Sequence, residues 1–236
     1  MPLFDGLHLY EVALAVAGVL LFLVLLLLLA RQVWTQRPYG GLLVFFAIPV
    51  IMIGWPSIQK VKIGADFISL EKDLATLQQN PKDATIRKNV AEQVKKLTSR
   101  PISNTDIVAT IAKAQFELGD QTASEATVDK ALAVAPHAAG LLEVKKRIQL
   151  NERLKDLTTI VEKNPANIEA KSELQAAAGR AAAVSTANPE FLNTAAAAAL
   201  AIGHTSEAVA LNSKALEIDP TSTKGNQLRQ RIAISQ

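Results

Sequence analysis

Histidine, cysteine and paired carboxylates supply most catalytic and metal-ligating groups, and this sequence has few of them. The chain of 236 residues contains no Cys and three His, namely His8, His137 and His204. None of these has a second ligand at metal-site spacing, so we expect neither a metal site nor a thiolate nucleophile. A glycine-rich phosphate loop and a G-x-S-x-G motif are also missing from the sequence. We therefore predict a protein that is not an enzyme, with no catalytic, cofactor-binding or metal-binding residue.

The charged residues favour the same interpretation. Asp106, Glu125, Asp129 and Glu207 are scattered over the starts and the predicted exposed faces of helices. Favourable interactions with helix N-termini and solvation explain them better than acid–base catalysis does. The net charge is +3, and no basic run alternates with aromatic residues. Nucleic-acid binding is therefore not expected, and protein or lipid partners remain.

Two uncharged, apolar stretches stand near the N-terminus. Residues 12–30 contain no charge over nineteen positions, and a second such stretch covers residues 40–56. Nineteen helical residues extend about 28 Å, which is close to the thickness of the hydrocarbon core of a bilayer. All Trp and Tyr residues of the chain flank these stretches: Tyr10, Trp34, Tyr39 and Trp55. Because such rings prefer the membrane interface, we predict that residues 1–57 form an anchor of two transmembrane helices in the lipid bilayer.

Small residues on the first stretch suggest a packing face. Ala13, Ala17 and Gly18 would let another helix approach closely, although the pattern fits small residues that merely fill an apolar segment better. In the second stretch, Pro49 removes one backbone hydrogen bond and predicts a bend, and Pro38–Gly40–Gly41 between the stretches predicts a sharp turn.

The distribution of positive charge bears on orientation. Arg31 and Arg37 lie between the two stretches and favour a cytoplasmic loop, whereas Lys60 and Lys62 follow the second stretch and favour the opposite. We expect a bacterial inner-membrane protein whose soluble domain lies outside the cytoplasm.

The soluble part is predicted to be an internal duplication. Residues 58–65 form a linker in which apolar and polar residues alternate, a pattern that could give one short strand. After this linker, Asn80–Pro81 recurs as Asn164–Pro165, 84 residues later, and Gly119 and Pro136 recur as Gly203 and Pro220. Repetition at a fixed offset is typical of stacked repeats. The two copies are assigned to residues 66–150 and 151–236.

Each copy contains a helical pair with recognisable boundaries. The apolar residues Ile107, Ile111, Ala114 and Leu118 recur at helical spacing and predict one buried face. Gly119 can adopt the positive φ that ends such a helix, and Thr122 with Glu125 matches a capping box for the next helix. Residues 138–163 contain no proline and predict one long helix that joins the copies.

These patterns resemble those of the tetratricopeptide repeat (TPR) family. The resemblance is carried by the strings VDKALAVAP, which ends at Pro136, and NSKALEIDP, which ends at Pro220, although the large aromatic residues of that family are missing. It implies an all-α chain in which a TPR-like α-solenoid follows the membrane helices. It also implies that the concave surface of the repeats binds a protein partner, with Lys113, Gln115 and Asn193 as candidate contact residues.

Two functions therefore remain open. The chain is predicted to be a membrane-anchored scaffold that recruits a protein partner through its repeats, in the manner of an assembly factor. Alternatively, it is an accessory or structural subunit of a membrane complex. In that case Ala13, Ala17, Gly18 and Pro49 on the transmembrane helices make the specific contacts.

Overall fold

The computed structural model describes residues 9–34 and 45–235. These residues form ten helices and no strand, which confirms the all-α prediction. In chain order the helices are α1 (Leu9–Trp34), α2 (Ala47–Gln79), α3 (Ala84–Thr98), α4 (Thr105–Leu118), α5 (Gln121–Leu132), α6 (Ala139–Lys163), α7 (Ile168–Ala182), α8 (Pro189–Ala201), α9 (Thr205–Ile218) and α10 (Thr223–Ile234). His8, Arg37, Tyr39 and the turn predicted at Pro38–Gly40–Gly41 lie outside the described residues.

The chain divides into two compact units. The first contains the described residues up to Ile68 together with Pro101–Asn104, and the second contains Ser69–Arg100 and the residues from Thr105 onward. Nearly all of the predicted copies 66–150 and 151–236 therefore belong to one unit. The strand predicted within the linker 58–65 is wrong, because these residues belong to the continuous helix α2.

In the first unit, α1 is a helix of 26 residues that contains the whole uncharged stretch 12–30. The rings of Phe22 and Phe46 make an edge-to-face contact with centroids 5.5 Å apart. Gly18 is buried, whereas Ala13 and Ala17 are exposed. In the part of the chain that the structure describes, no helix is both long enough and apolar enough to cross a membrane.

The structure places Pro49 at the start of a helix, whereas the sequence predicted a bend inside one. Phe46 lies in a turn, α2 begins at Ala47, and Pro49 occupies the first turn of that helix. Proline is tolerated in a first turn because the backbone N–H groups there have no partner within the helix.

The helix boundaries of the second unit repeat at the offset found in the sequence. Helices α3 and α7 begin at Ala84 and Ile168, and α5 and α9 begin at Gln121 and Thr205, in each case 84 residues apart. The caps repeat as well, since Asp83 accepts hydrogen bonds from the N–H groups of Thr85 and Ile86, and Asn167 accepts one from Ala170. Such side-chain acceptors satisfy N–H groups that have no partner in the first turn of a helix.

The local predictions at the helical pairs have different outcomes. Gly119 and Gly203 have φ values of 91° and 87°, which confirms the expected helix-ending turns. The long helix predicted over 138–163 is confirmed as α6, Ala139–Lys163. The capping box is wrong, because Asp120 caps α5 and accepts a 3.0 Å hydrogen bond from the N–H of Ala123.

Each helix from α3 onward packs against the next one along the chain, and a second set of contacts joins alternate helices. Helix α4 packs on α6, α6 on α8, and α8 on α10. The main core lies between α4, α5, α6, α7 and α8, where Phe116 and Phe191 are fully buried with ring centroids 5.8 Å apart. Alanine is the most frequent residue of this core, as in Ala177, Ala195 and Ala198.

Candidate functional site

A cavity of about 340 Å³, here called the C-terminal cavity, lies between α6, α8 and α10. Each helix contributes residues that are three or four positions apart and so share one face. Lys155, Thr158, Thr159 and Glu162 come from α6; Glu190, Asn193, Thr194 and Ala197 from α8; and Lys224, Gln227, Leu228 and Arg231 from α10.

Charged pairs line this cavity. The Oε1 atom of Glu190 accepts a hydrogen bond of 3.5 Å from the ammonium of Lys155 and one of 3.0 Å from that of Lys224. Burial alone would raise the pKa of Glu190. The hydrogen bond from Lys224 and the charges of both lysines outweigh this effect, so that the pKa lies below its ordinary value. On the opposite side, Arg231 of α10 is paired with Glu162 of α6.

A second cavity, the N-terminal cavity, has a volume of about 420 Å³ and lies between α2 and α4. Its lining residues are Glu71, Leu74, Ala75, Gln78, Thr110 and Lys113. Each of these residues stands 84 positions before a residue that lines the C-terminal cavity, as Glu71 does before Lys155 and Lys113 before Ala197. The two copies therefore place a cavity at the same position of the repeat.

The predicted contact residues occupy different environments. Lys113 is half-buried and lines the N-terminal cavity, and Asn193 lines the C-terminal cavity with 6% of its surface exposed. The Oδ1 atom of Asn193 accepts a 3.0 Å hydrogen bond from Asn212. Gln115 is 7% exposed and accepts a 2.8 Å hydrogen bond from the hydroxyl of Thr127 on α5. The structure thus places two of the three residues on cavities and directs Gln115 towards α5.

A buried carboxylate that the sequence analysis missed lies at the junction of the two copies. Glu117 has no exposed surface. Its Oε1 accepts hydrogen bonds from Gln78 at 3.2 Å and from Arg147 at 3.3 Å. Its Oε2 accepts bonds from the hydroxyl of Thr186 at 2.7 Å and from the N–H of Ala187 at 2.6 Å. The equivalent position of the second copy is occupied by Ala201. This difference between the copies is the one feature of the sequence that could have pointed to Glu117.

Arg87 and Asn188 extend this junction. The Arg87 guanidinium donates a 2.6 Å hydrogen bond to the carbonyl of Ala187, and the Asn188 amide donates one of 2.5 Å to the carbonyl of Phe116. Partial burial lowers the pKa of Arg87, against the opposing effect of the Glu117 and Asp219 charges. The arrangement satisfies buried polar groups and joins α3 and α4 to the segment before α8. We therefore assign it a structural role.

The histidines do not form a metal site within the described part of the chain. Where the structure describes the chain, no group of three or more His, Asp or Glu side chains could hold a metal ion. His137 is exposed, and the Nδ1 atom of exposed His204 lies 3.4 Å from the carboxylate of Glu207.

No protein-family model, curated protein or solved structure matches this chain. The resemblance to TPR proteins therefore stays a prediction.

Proposed function

We propose that the second unit is a TPR-like solenoid that binds an extended segment of a protein partner. The segment would lie across the surface that carries the two cavities, here called the cavity surface, formed by α2 from Ser69 onward, α4, α6, α8 and α10. The observation that supports this most directly is the repetition of a cavity at equivalent positions of both copies. A surface that repeats along stacked helices suits a ligand that is itself extended.

The mixed polar and apolar lining of the cavities favours a peptide over a small apolar ligand. The polar residues Thr159, Asn193 and Thr194 line the C-terminal cavity, and apolar residues such as Leu228 lie beside them. A peptide presents both backbone hydrogen-bonding groups and side chains, and therefore complements a mixed lining of this kind.

We further propose that residues 1–57 anchor this binding unit in a membrane. The proposal rests on the sequence, because the nineteen residues 12–30 contain no charged group. Large apolar side chains of α1, including Leu20, Leu23 and Leu27, are exposed. Contact of such side chains with lipid is favourable, whereas their exposure to water carries a cost in free energy. An anchored scaffold would hold its partner at the membrane, as an assembly factor does.

A second candidate function uses α1 for the specific contact. Ala13 and Ala17 are exposed on one side of this helix, four residues apart. Small exposed residues at this spacing would admit a neighbouring transmembrane helix. In this case the chain is an accessory subunit of a membrane complex.

Copurification of variants separates the two functions. The full chain would be extracted in mild detergent as wild type, as the cavity variant Thr194→Arg with Ala197→Arg, and as the α1 variant Ala13→Leu with Ala17→Leu. We expect only the cavity variant to lose the copurifying protein, because its long side chains fill the C-terminal cavity. Thr122→Arg on the exposed face of α5 is the matched control. Loss in the α1 variant alone would instead establish the accessory-subunit function.

A further inference from the structure

The two equivalent cavities carry different charges. The C-terminal cavity is lined by three cationic side chains, Lys155, Lys224 and Arg231, and by two carboxylates, Glu162 and Glu190. The N-terminal cavity is lined by one cation and one carboxylate, Lys113 and Glu71. At the position of Lys155, the first copy thus has a carboxylate, Glu71. The duplicated surface has an excess of positive charge at only one of its two cavities.

The first copy does not present the same charges to its cavity. Gly140 stands 84 residues before Lys224, and a Cβ atom added to it would lie 3.0 Å from the Cβ atom of Ala109. Arg147, the counterpart of Arg231, donates hydrogen bonds to the buried Glu117 and to Glu143. With Glu71 at the position of Lys155, all three cationic positions are therefore absent or directed elsewhere in the first copy.

Glu190 shows how the C-terminal cavity treats a carboxylate. Both lysines donate to one oxygen of this residue, and they keep its pKa low in spite of partial burial. Each ammonium has three N–H donors, so the pair can bind further acceptors. Thr158, a residue of the same cavity lining, is 8% exposed, and its hydroxyl is buried without a hydrogen-bond partner.

We infer that the C-terminal cavity binds acidic side chains of the partner segment, with Glu190 as an internal competitor for Lys155 and Lys224. The N-terminal cavity does not share this preference, and it contacts a part of the segment that carries no cluster of acidic residues. The inference rests on the proposed function, since it names the chemistry of the same partner. It gives the bound segment a direction, with its acidic part over α6, α8 and α10.

The test measures binding of labelled twelve-residue peptides to the full chain in mild detergent by fluorescence anisotropy. The probes are an Asp/Glu-rich, a Lys-rich and a Ser/Gly-rich peptide. We expect the acidic peptide to bind about tenfold more tightly than the other two, because its hydrogen bonds to the lysines are charge-assisted. Its affinity should also fall as NaCl is raised, since the charged groups are partly exposed.

Variants decide whether this cavity is responsible. Lys155→Gln with Lys224→Gln should weaken binding of the acidic peptide about tenfold, and Glu190→Gln should strengthen it by removing the competitor. Glu125→Gln and Lys130→Gln on the exposed face of α5 are the matched controls and should change nothing. Circular dichroism of each variant checks that the fold is intact.

The outcomes separate this inference from the proposed function. In one outcome, the three peptides bind equally well and the cavity variant Thr194→Arg with Ala197→Arg abolishes this binding. That result would overturn the acidic preference and leave the binding function standing. Acidic binding that is unaffected by the lysine and Glu190 substitutions would place the site elsewhere and overturn the inference. If no peptide binds, and the cavity variant still retains the copurifying protein, both proposals fail.

Discussion

The carboxylate of Glu117 accepts a 2.7 Å hydrogen bond from the hydroxyl of Thr186, which lies 69 residues later in the chain. Glu117 lies in the last turn of α4 in the first copy, and Thr186 belongs to the segment between α7 and α8 in the second. Together with the partly exposed Arg147, the buried Glu117 links segments that are remote in sequence. A repeat array normally depends on contacts between neighbouring repeats, and this buried carboxylate supplies such a contact at one junction.

Removing this carboxylate should destabilise the second unit strongly. We expect Glu117→Ala to lower the free energy of unfolding by about 3–5 kcal/mol, because it leaves the guanidinium of Arg147 and the N–H of Ala187 without their buried partner. Glu117→Gln should cost less, since its amide oxygen can still accept. Chemical denaturation followed by circular dichroism measures both. Glu125→Ala on an exposed face should change the stability by no more than about 0.5 kcal/mol.

Replacement of two helical glycines by alanine should change the stability in opposite directions. A Cβ atom at Gly225 would lie 2.8 Å from Cδ2 of Leu216 and 3.2 Å from Nδ2 of Asn193, whereas Gly179 has no neighbour within 4 Å. Gly179→Ala should raise the free energy of unfolding by about 0.5–1 kcal/mol through its helix propensity. The free energy of unfolding of Gly225→Ala should be about 1–2 kcal/mol lower than that of Gly179→Ala, because the added methyl group overpacks the site. Equal stability of the two variants would contradict the packing of α10 on α8 and α9.

The turn after α8 requires a backbone conformation that L-residues rarely adopt. Gly203 has a φ of 87° and no neighbour within 4 Å of an added Cβ atom, so the effect of a substitution there is conformational and not steric. We expect Gly203→Ala to lower the free energy of unfolding by about 1–2 kcal/mol. Gly203→Asn should lower it clearly less, since Asn adopts a positive φ more readily than Ala does. Thermal unfolding of the two variants side by side checks the order.

The ion pairs of Glu190 should make stability depend on pH in the acid range. Folding lowers the pKa of Glu190 below its ordinary value of 4.5, so this group stabilises the fold above that pH. The contribution is lost as the pH falls through the lowered value. It should be at most about 1 kcal/mol, because the pair is partly exposed and salt screens it.

The Glu190→Gln variant isolates the contribution of these ion pairs to stability. Glu190→Gln should be less stable than wild type at pH 7, and the difference should shrink below pH 4.5 and with added NaCl. Denaturant titrations at pH 7, 4 and 3 measure it. A difference that is constant with pH would mean that the lysines do not act on the Glu190 charge.

Local signals in the sequence predicted several elements correctly. Gly119 and Gly203 marked helix ends because glycine alone adopts their positive φ without strain. The absence of proline over 138–163 predicted α6, since proline is what most often interrupts a helix. The cap at Thr122 failed because a sequence match cannot show which side chain reaches a free N–H group. Asp120, two residues earlier, makes that bond.

The sequence by itself determined the helical class, the repetition at 84 residues and the positions of the turns, because these depend on backbone preferences and on periodic burial within single segments. Only the tertiary structure decided that Glu117 is buried, that Gln115 is directed towards α5, and that Lys155 and Lys224 meet at Glu190. These relationships join residues from different helices. The geometry of helix packing sets such distances, and the sequence of any one helix does not contain it.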